Sequence, residues 1–352
     1  RSIENSGNVV TGFVWSSSTI HNKRDPALKK PFITGAGTQP LIKSLSRFTN
    51  AATNLPVISR AAAGNGNFGV RADLDGIIRE VPLLFRYFQN NEETVYPSLA
   101  LEAVRVFKSP NAIAKITQAS QKQTGLFGPP FQIQLKDLNI PVNKSGLFRV
   151  YFAPLNPENY ISAWKVYSGQ LKDNQLEDKI VFLATSAEGL KDIRSTPLDL
   201  QVPGVEVHRN VVEQILNSDY LFRPLIVEAF ELTLIVVAGL LIIFLSSFIG
   251  VGKLLLMTLF VIFTIIATSL YSFLNHGLLI DPVYPSITLV LLFILASVLG
   301  YLRTETDRLQ IRKAFGYYIS QDFMQELTDN PERLKLGGEV KTLTVMFTDI
   351  RN

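Results

Sequence analysis

Three long apolar runs constrain this chain more than any other feature. The first, Ile226 to Phe248, reads IVEAFELTLIVVAGLLIIFLSSF and keeps its two carboxylates, Glu228 and Glu231, near one end, in reach of the headgroup region. The second, Leu254 to Leu274, and the third, Val283 to Leu302, carry no charged residue. Each is long enough to cross a hydrocarbon layer of about 30 Å as a helix. Backbone in lipid must satisfy its polar groups within its own segment. The runs therefore predict three spanning helices, at about 226–248, 254–274 and 283–302.

Positive charge orients them. The connection between the second and third runs, NHGLLIDP, has no lysine or arginine, whereas Arg303, Arg308, Arg312 and Lys313 follow the third and Lys253 lies between the first two. Lysine and arginine are retained on the inner side, which places the C-terminus inside and residues 1–223 outside. The run interiors lack the ionisable groups that mark an ion or substrate path, which argues against a transporter.

The remaining totals exclude several classes. The chain is 47% apolar and 18% charged, and the apolar excess lies in the eighty or so residues after 223. A net charge of +4 with no basic stripe and interleaved aromatics gives no case for nucleic acid. With no cysteine there is no disulfide, zinc–thiolate site or cysteine nucleophile. The chain begins at Arg1 without methionine or signal peptide and stops at Asn352, and it reads as a fragment with an upstream signal or anchor missing.

Residues 1–223 alternate strand-like and helix-like patterns without a repeat, which predicts one mixed α/β outer domain. In KIVFLATSAEG, the run Ile180 to Ala184 reads as a buried strand that opens onto a loop. PGVEVHRNVVEQIL places Val207, Val211, Val212, Ile215 and Leu216 on one helical face, and YPSLALEAVRVF does the same for Leu99, Ala100, Ala103, Val104 and Phe107. FGVRADLDGIIREVPLLF reads as two strands joined by a turn at Asp73 to Gly76.

Candidate chemistry is sparse. His208, near a helix start and downstream of Asp192, is a candidate general base, although histidines at helix ends are commonly structural. Asp73 and Asp75 offer hard oxygens to a cation, but two carboxylates are too few ligands and suit a turn better. Thr185 and Ser186, beyond the carboxyl end of a strand, lie where open α/β sheets tend to bind ligands. Thr185, Ser186, His208, Asp73 and Asp75 therefore form the candidate sensor pocket. No nucleophile–base set emerges, so this domain is expected to bind a small extracytoplasmic ligand without transforming it.

VRADLDGIIREVPLLF, KIVFLATSAEGLKD, TPLDLQVPGVEVHRNVVEQIL and the three spans together resemble the second class of CHASE domains, cyclase/histidine-kinase-associated sensory extracellular domains. The resemblance covers nearly all of residues 1–302. It implies a bacterial multi-pass inner-membrane receptor with residues 1–223 extracytoplasmic and a cytoplasmic output domain. Ala184 stands where that family usually has glycine, and Arg209 where it usually has alanine.

After Leu302 the third helix is expected to continue into a cytoplasmic linker, 303–338. A homodimer is the expected assembly, yet the coiled-coil seam is poor: Leu302 and Leu309 are paired with Glu305 and Arg312 at the other seam positions. Phe323, Met324 and Leu327 suggest a short helix, and Gly337 and Gly338 a turn before a final strand with Leu343, Val345 and Phe347 on one face. IRKAFGYYIS and ERLKLGGEVKTLTVMFTDIR resemble the entry to class III nucleotide cyclase catalytic domains, so 339–352 would begin a ferredoxin-like α+β domain. The resemblance implies that Asp349 and the backbone carbonyl of Ile350 bind Mg²⁺ (or Mn²⁺), with ATP as substrate. Mg²⁺ wants oxygen ligands, and two metals can polarise a 3′-hydroxyl while holding phosphates. Asn352 stands where that family has glycine, and the remaining catalytic residues would lie downstream, so this piece alone is expected to be inactive. The competing expectations are a membrane sensor with a kinase output and a non-enzymatic sensor or anchor. Purine specificity is left open, between adenylate and guanylate cyclase.

Overall fold

The computed structural model describes residues 1–16, 28–34, 39–89, 92–118, 129–185, 192–316, 342 and 344–349. Contacts divide the chain into two compact units: residues 1–234 with 263–285, and residues 235–262 with the remainder from 286.

The first unit is mixed α/β, as the alternating patterns predict. Val10–Ser16 lies between Asn50–Ala52, to which it is antiparallel, and Gly64–Asn67, to which it is parallel. A four-stranded sheet has the order Leu138–Val142, Phe131–Leu135, Ala114–Gln118, Ile33–Thr34. Its second strand buries Phe131, Ile133 and Leu135 while Gln132 and Gln134 are half-exposed, the period of two expected of a sheet with one face in the core. A third sheet joins Arg47–Phe48, Leu84–Gln89 and Glu92–Pro97. Phe13 and Tyr96 meet edge to face over it, ring centroids 5.9 Å apart.

Two helices link these sheets. Gly204–Asn217 buries Val207, Val211, Val212 and Ile215, the face its spacing predicts. Leu99–Lys108 is capped by Ser98, whose hydroxyl accepts the Leu101 amide at 3.2 Å. It is buried from Ala100 to Val106, whereas Phe107, expected on the inner face, is 45% exposed. This helix packs on both the Gly64–Asn67 strand and the Gly204–Asn217 helix, so no single apolar stripe describes it.

Within that buried helix lies an ion pair. Arg105 is 1% and Glu102 3% exposed; their forks meet at 2.9 and 2.7 Å. Arg105 also donates to the Pro110 and Ala112 carbonyls, and its guanidinium lies 4.6 Å from the Phe32 ring centroid. Neighbouring Gly64 must lack a side chain, because a Cβ there would sit 1.8 Å from Glu102 Oε1.

Several expectations need correction. Ile180 to Ala184 forms no strand and pairs with none among the described residues. Ile180 and Phe182 touch the core, while Val181 and Leu183 are 59% and 91% exposed. Apolar content alone does not make a strand, which also needs a hydrogen-bonding neighbour. The Asp73–Gly76 turn forms, yet it does not join a hairpin. Residues 68–73 are irregular, and Glu80–Pro82 pairs instead with Leu147–Arg149. Residues 344–349 are exposed and form no strand, since no described neighbour pairs with them. The short helix at 323–327, the turn at 337–338 and Leu343 lie outside the described residues.

Three helices among the described residues are long and apolar enough to cross a membrane: Leu225–Ser246, Val251–His276 and Val283–Gly316. In the second unit they bury Ile242, Leu254 and Leu289. The third is unbroken for 34 residues, about 50 Å, well beyond a hydrocarbon layer of about 30 Å.

Candidate functional site

Of the five residues expected to form a sensor pocket, the four described ones share no hydrogen bond, ion pair or recess with one another. Asp73 and Asp75 clasp Arg79 at 2.8 and 2.7 Å on an exposed turn, and Asp75 also accepts the Ile77 amide. The Arg79 guanidinium holds the Asp75 carboxyl well below the usual carboxylate range. These oxygens are committed to the turn. Thr185 is exposed, with no strand before it, and Ser186 lies outside the described residues.

His208 is 5% exposed, and Nε2 lies 3.2 Å from the Phe68 carbonyl. A carbonyl only accepts, which assigns the proton to Nε2 and leaves Nδ1 without a partner among the described residues. Burial pushes the imidazole down to about 4, so the ring is neutral at neutral pH. Asp192, the acidic partner anticipated for a general base, pairs with Arg194 at 3.3 Å. His208 therefore fastens the Gly204–Asn217 helix to the Phe68 segment and carries no base–nucleophile set.

The polar side of that helix does two further jobs. Asn210 and Gln214 accept the Ala153 and Tyr151 amides, each at 2.9 Å, so a helix zips an irregular segment that no strand pairs. Glu206 takes the Tyr160 hydroxyl at 2.5 Å and Arg209 at 2.8 Å. Burial and that carboxylate push the Tyr160 hydroxyl well above its usual range. Beside them opens a recess of about 250 Å³ lined by Phe152, Leu155, Leu198, Asp199 and Asn210 among others. It is mostly apolar with a few convergent polar groups, the character of a small-ligand site. Arg209 binds both Glu206 and Glu213, at 2.8 and 2.6 Å.

From the other end of the helix the chain runs into the membrane segment, and this junction is tightly built. The Phe222 amide donates to the Gly277 carbonyl and the Leu279 amide to the Phe222 carbonyl, both at 3.1 Å. Gly277 ends the second membrane helix at φ 61°, and a Cβ there would meet the Tyr220 carbonyl at 2.3 Å, so both conformation and space demand glycine. Arg223 pairs with Glu231 at 2.7 Å, and the other oxygen of Glu231 accepts the Asp281 amide at 2.7 Å. The Tyr151 and Phe273 rings meet edge to face at 5.9 Å.

This geometry has a family. The model of the CHASE2 domain matches residues 3–245. The chain belongs to the CHASE2 domain family. CHASE2 domains are extracellular sensor domains, and this one is followed by further apolar helices in a multi-pass arrangement. The match extends through most of the first membrane helix, in keeping with the junction's shared hydrogen bonds. No curated protein and no solved structure matches the chain.

Sequence reasoning missed the residues that hold the CHASE2 domain to its membrane helices. Glu231 reads as a carboxylate escaping to headgroups, yet it is a three-way tie. Its signal was a second acid inside a largely apolar run, eight residues after Arg223.

At the other end of the chain, Asp349 lies in an exposed stretch, and Ile350 lies outside the described residues. Among the described residues no three His, Asp or Glu side chains gather as a metal would require. One carboxylate does not make up a Mg²⁺ site, which needs about six oxygens in octahedral array.

Proposed function

We propose that this chain is the sensing and membrane-spanning part of a receptor-type nucleotide cyclase. A small extracellular ligand biases the CHASE2 domain, and that bias controls conversion of ATP to cyclic AMP and pyrophosphate by a cytoplasmic domain. The receptor half of this reading rests on one observation: Phe222 and Arg223, which end the sensor, are bonded to the Gly277–Asp281 turn and to Glu231. A change of shape at the Gly204–Asn217 helix thus reaches two membrane helices through backbone bonds rather than through a loose linker. The recess beside Glu206 is the candidate for the ligand.

The output half is supported by the likeness of ERLKLGGEVKTLTVMFTDIR to the entry of class III cyclase domains. In that reading Asp349 is the first metal-binding carboxylate and the protein works as a homodimer in the plasma membrane. The test is Asp349→Asn in the complete protein, assayed for cyclic nucleotide in membranes at equal abundance. The substitution keeps shape and one oxygen but removes the charge. Activity should fall by at least about a thousandfold, several kcal/mol of transition-state stabilisation, with insertion unchanged. A mutant retaining more than about a tenth of the wild-type rate would leave Asp349 a mere turn residue and the cyclase reading wrong.

A further inference from the structure

A second recess, about 230 Å³, lies on the outer domain where the chain enters the first membrane helix. Its apolar lining includes Pro130, Pro141, Leu147 and Phe222; its charged lining is Glu80, Lys144, Arg149, Arg223 and Glu228. The pairing of these charges is uneven. Arg149 spends Nε and Nη2 on Glu80, at 3.1 and 2.6 Å, which leaves Nη1. Arg223 spends Nη2 on Glu231, which leaves Nε and Nη1. Among the described residues, neither the Lys144 ammonium nor the Glu228 carboxylate has an ionic partner. One wall therefore offers unspent cationic N–H donors, and the first turn of the membrane helix offers one unspent anion.

We propose that this recess binds the headgroup of a zwitterionic aminophospholipid, a phosphodiester bearing a primary ammonium. The phosphodiester oxygens face Lys144, Arg149 and Arg223, since guanidinium and ammonium donors suit phosphate. The ammonium faces Glu228. Glu228 belongs to the first turn of a span that starts at Ile226, so the recess opens at the level of the headgroup layer. Exposed Leu232, four residues beyond Glu228 and on the same helix face, provides an apolar surface for an acyl chain. A choline headgroup lacks the N–H donors that Glu228 accepts, and a glycerol headgroup lacks the cation, so the recess discriminates among lipids by chemistry. The proposal is independent of any catalytic output.

Native mass spectrometry of the purified full chain tests it, with phosphatidylethanolamine, phosphatidylcholine and phosphatidylglycerol added at equal concentrations. Wild type should retain one ethanolamine lipid at least about tenfold more readily than either other lipid. Glu228→Gln should abolish that preference over phosphatidylglycerol, and Lys144→Glu should weaken retention of both phosphatidylethanolamine and phosphatidylglycerol. Both positions are exposed, so unfolding is not expected, and an unchanged melting temperature verifies this. Equal retention of all three lipids, or a Glu228→Gln variant with intact preference, would overturn the proposal. So would full competition by soluble glycerophosphoethanolamine at equal headgroup concentration, which would assign the recess to a free phosphate ester.

Discussion

Arg223 and Glu231 lie 2.7 Å apart and close the sensor onto the second turn of the first membrane helix. The same carboxylate holds the Asp281 amide, so one side chain joins three separate stretches of chain. Removing it leaves a guanidinium and an amide without acceptors. Glu231→Ala should lower stability by about 2 kcal/mol, read as an earlier melting transition in lipid nanodiscs. Faster amide exchange at Asp281 should accompany it. Unchanged exchange there would mean the tie does not hold the turn.

His208 predicts a pH dependence. Its folded-state value of about 4 lies below the ordinary 6.5, so the unfolded chain binds the extra proton first as pH falls. The stabilisation from the neutral ring is full above about 6.5 and is lost as pH drops toward 4, a change of about 3 kcal/mol. Denaturant melts between pH 7 and pH 4.5 should show it, and His208→Gln should flatten the slope. An equal slope in the variant would place the titrating group elsewhere.

Glu102 and Arg105 are both buried, so deleting one strands the other. Glu102→Ala should cost about 3–5 kcal/mol in urea unfolding. Gly64→Ala, whose new Cβ would overlap Glu102, should also be severe. The two changes should be far from additive, with a coupling above about 1 kcal/mol in a double-mutant cycle, because Glu102→Ala removes the side chain that the new Cβ would meet.

Topology can be read directly, since the chain has no native cysteine. Leu74→Cys and Asn275→Cys, both at exposed positions, should react with an impermeant maleimide on intact cells. Arg308→Cys should react only after lysis. Labelling at 308 alone would invert the orientation.

What could be read from the sequence follows from where each constraint resides. The membrane helices were legible because a long apolar run has one solution in lipid, and all three runs fall on helices. The Gly204–Asn217 face was legible because its apolar spacing is local. Ile180 to Ala184 misled because pairing is a property of a neighbour, not of the run itself. The i, i+3 spacing of Glu102 and Arg105 carries no sign of burial, and only the elements packed around the helix make the pair part of the core. Asn210 and Gln214 were silent for the same reason, as their partners lie far away in sequence, and Glu231 stood out as an acid without showing that it would hold the Asp281 amide fifty residues on. Of the expected pocket, His208, a candidate general base, bonds the Phe68 carbonyl, and Asp73 and Asp75 serve Arg79.

Outer turns between membrane helices are ordinarily where chains gain or lose residues freely. The turn after His276 does not have that freedom. Gly277 and Leu279 are bonded to Phe222, and Asp281 to Glu231, so its start, middle and end are each pegged. A single inserted residue would break register with at least one peg. This short connection is therefore as intolerant of length change as a strand inside a sheet. Insertions that descendants of this sequence accumulate should fall instead in exposed stretches such as 172–178.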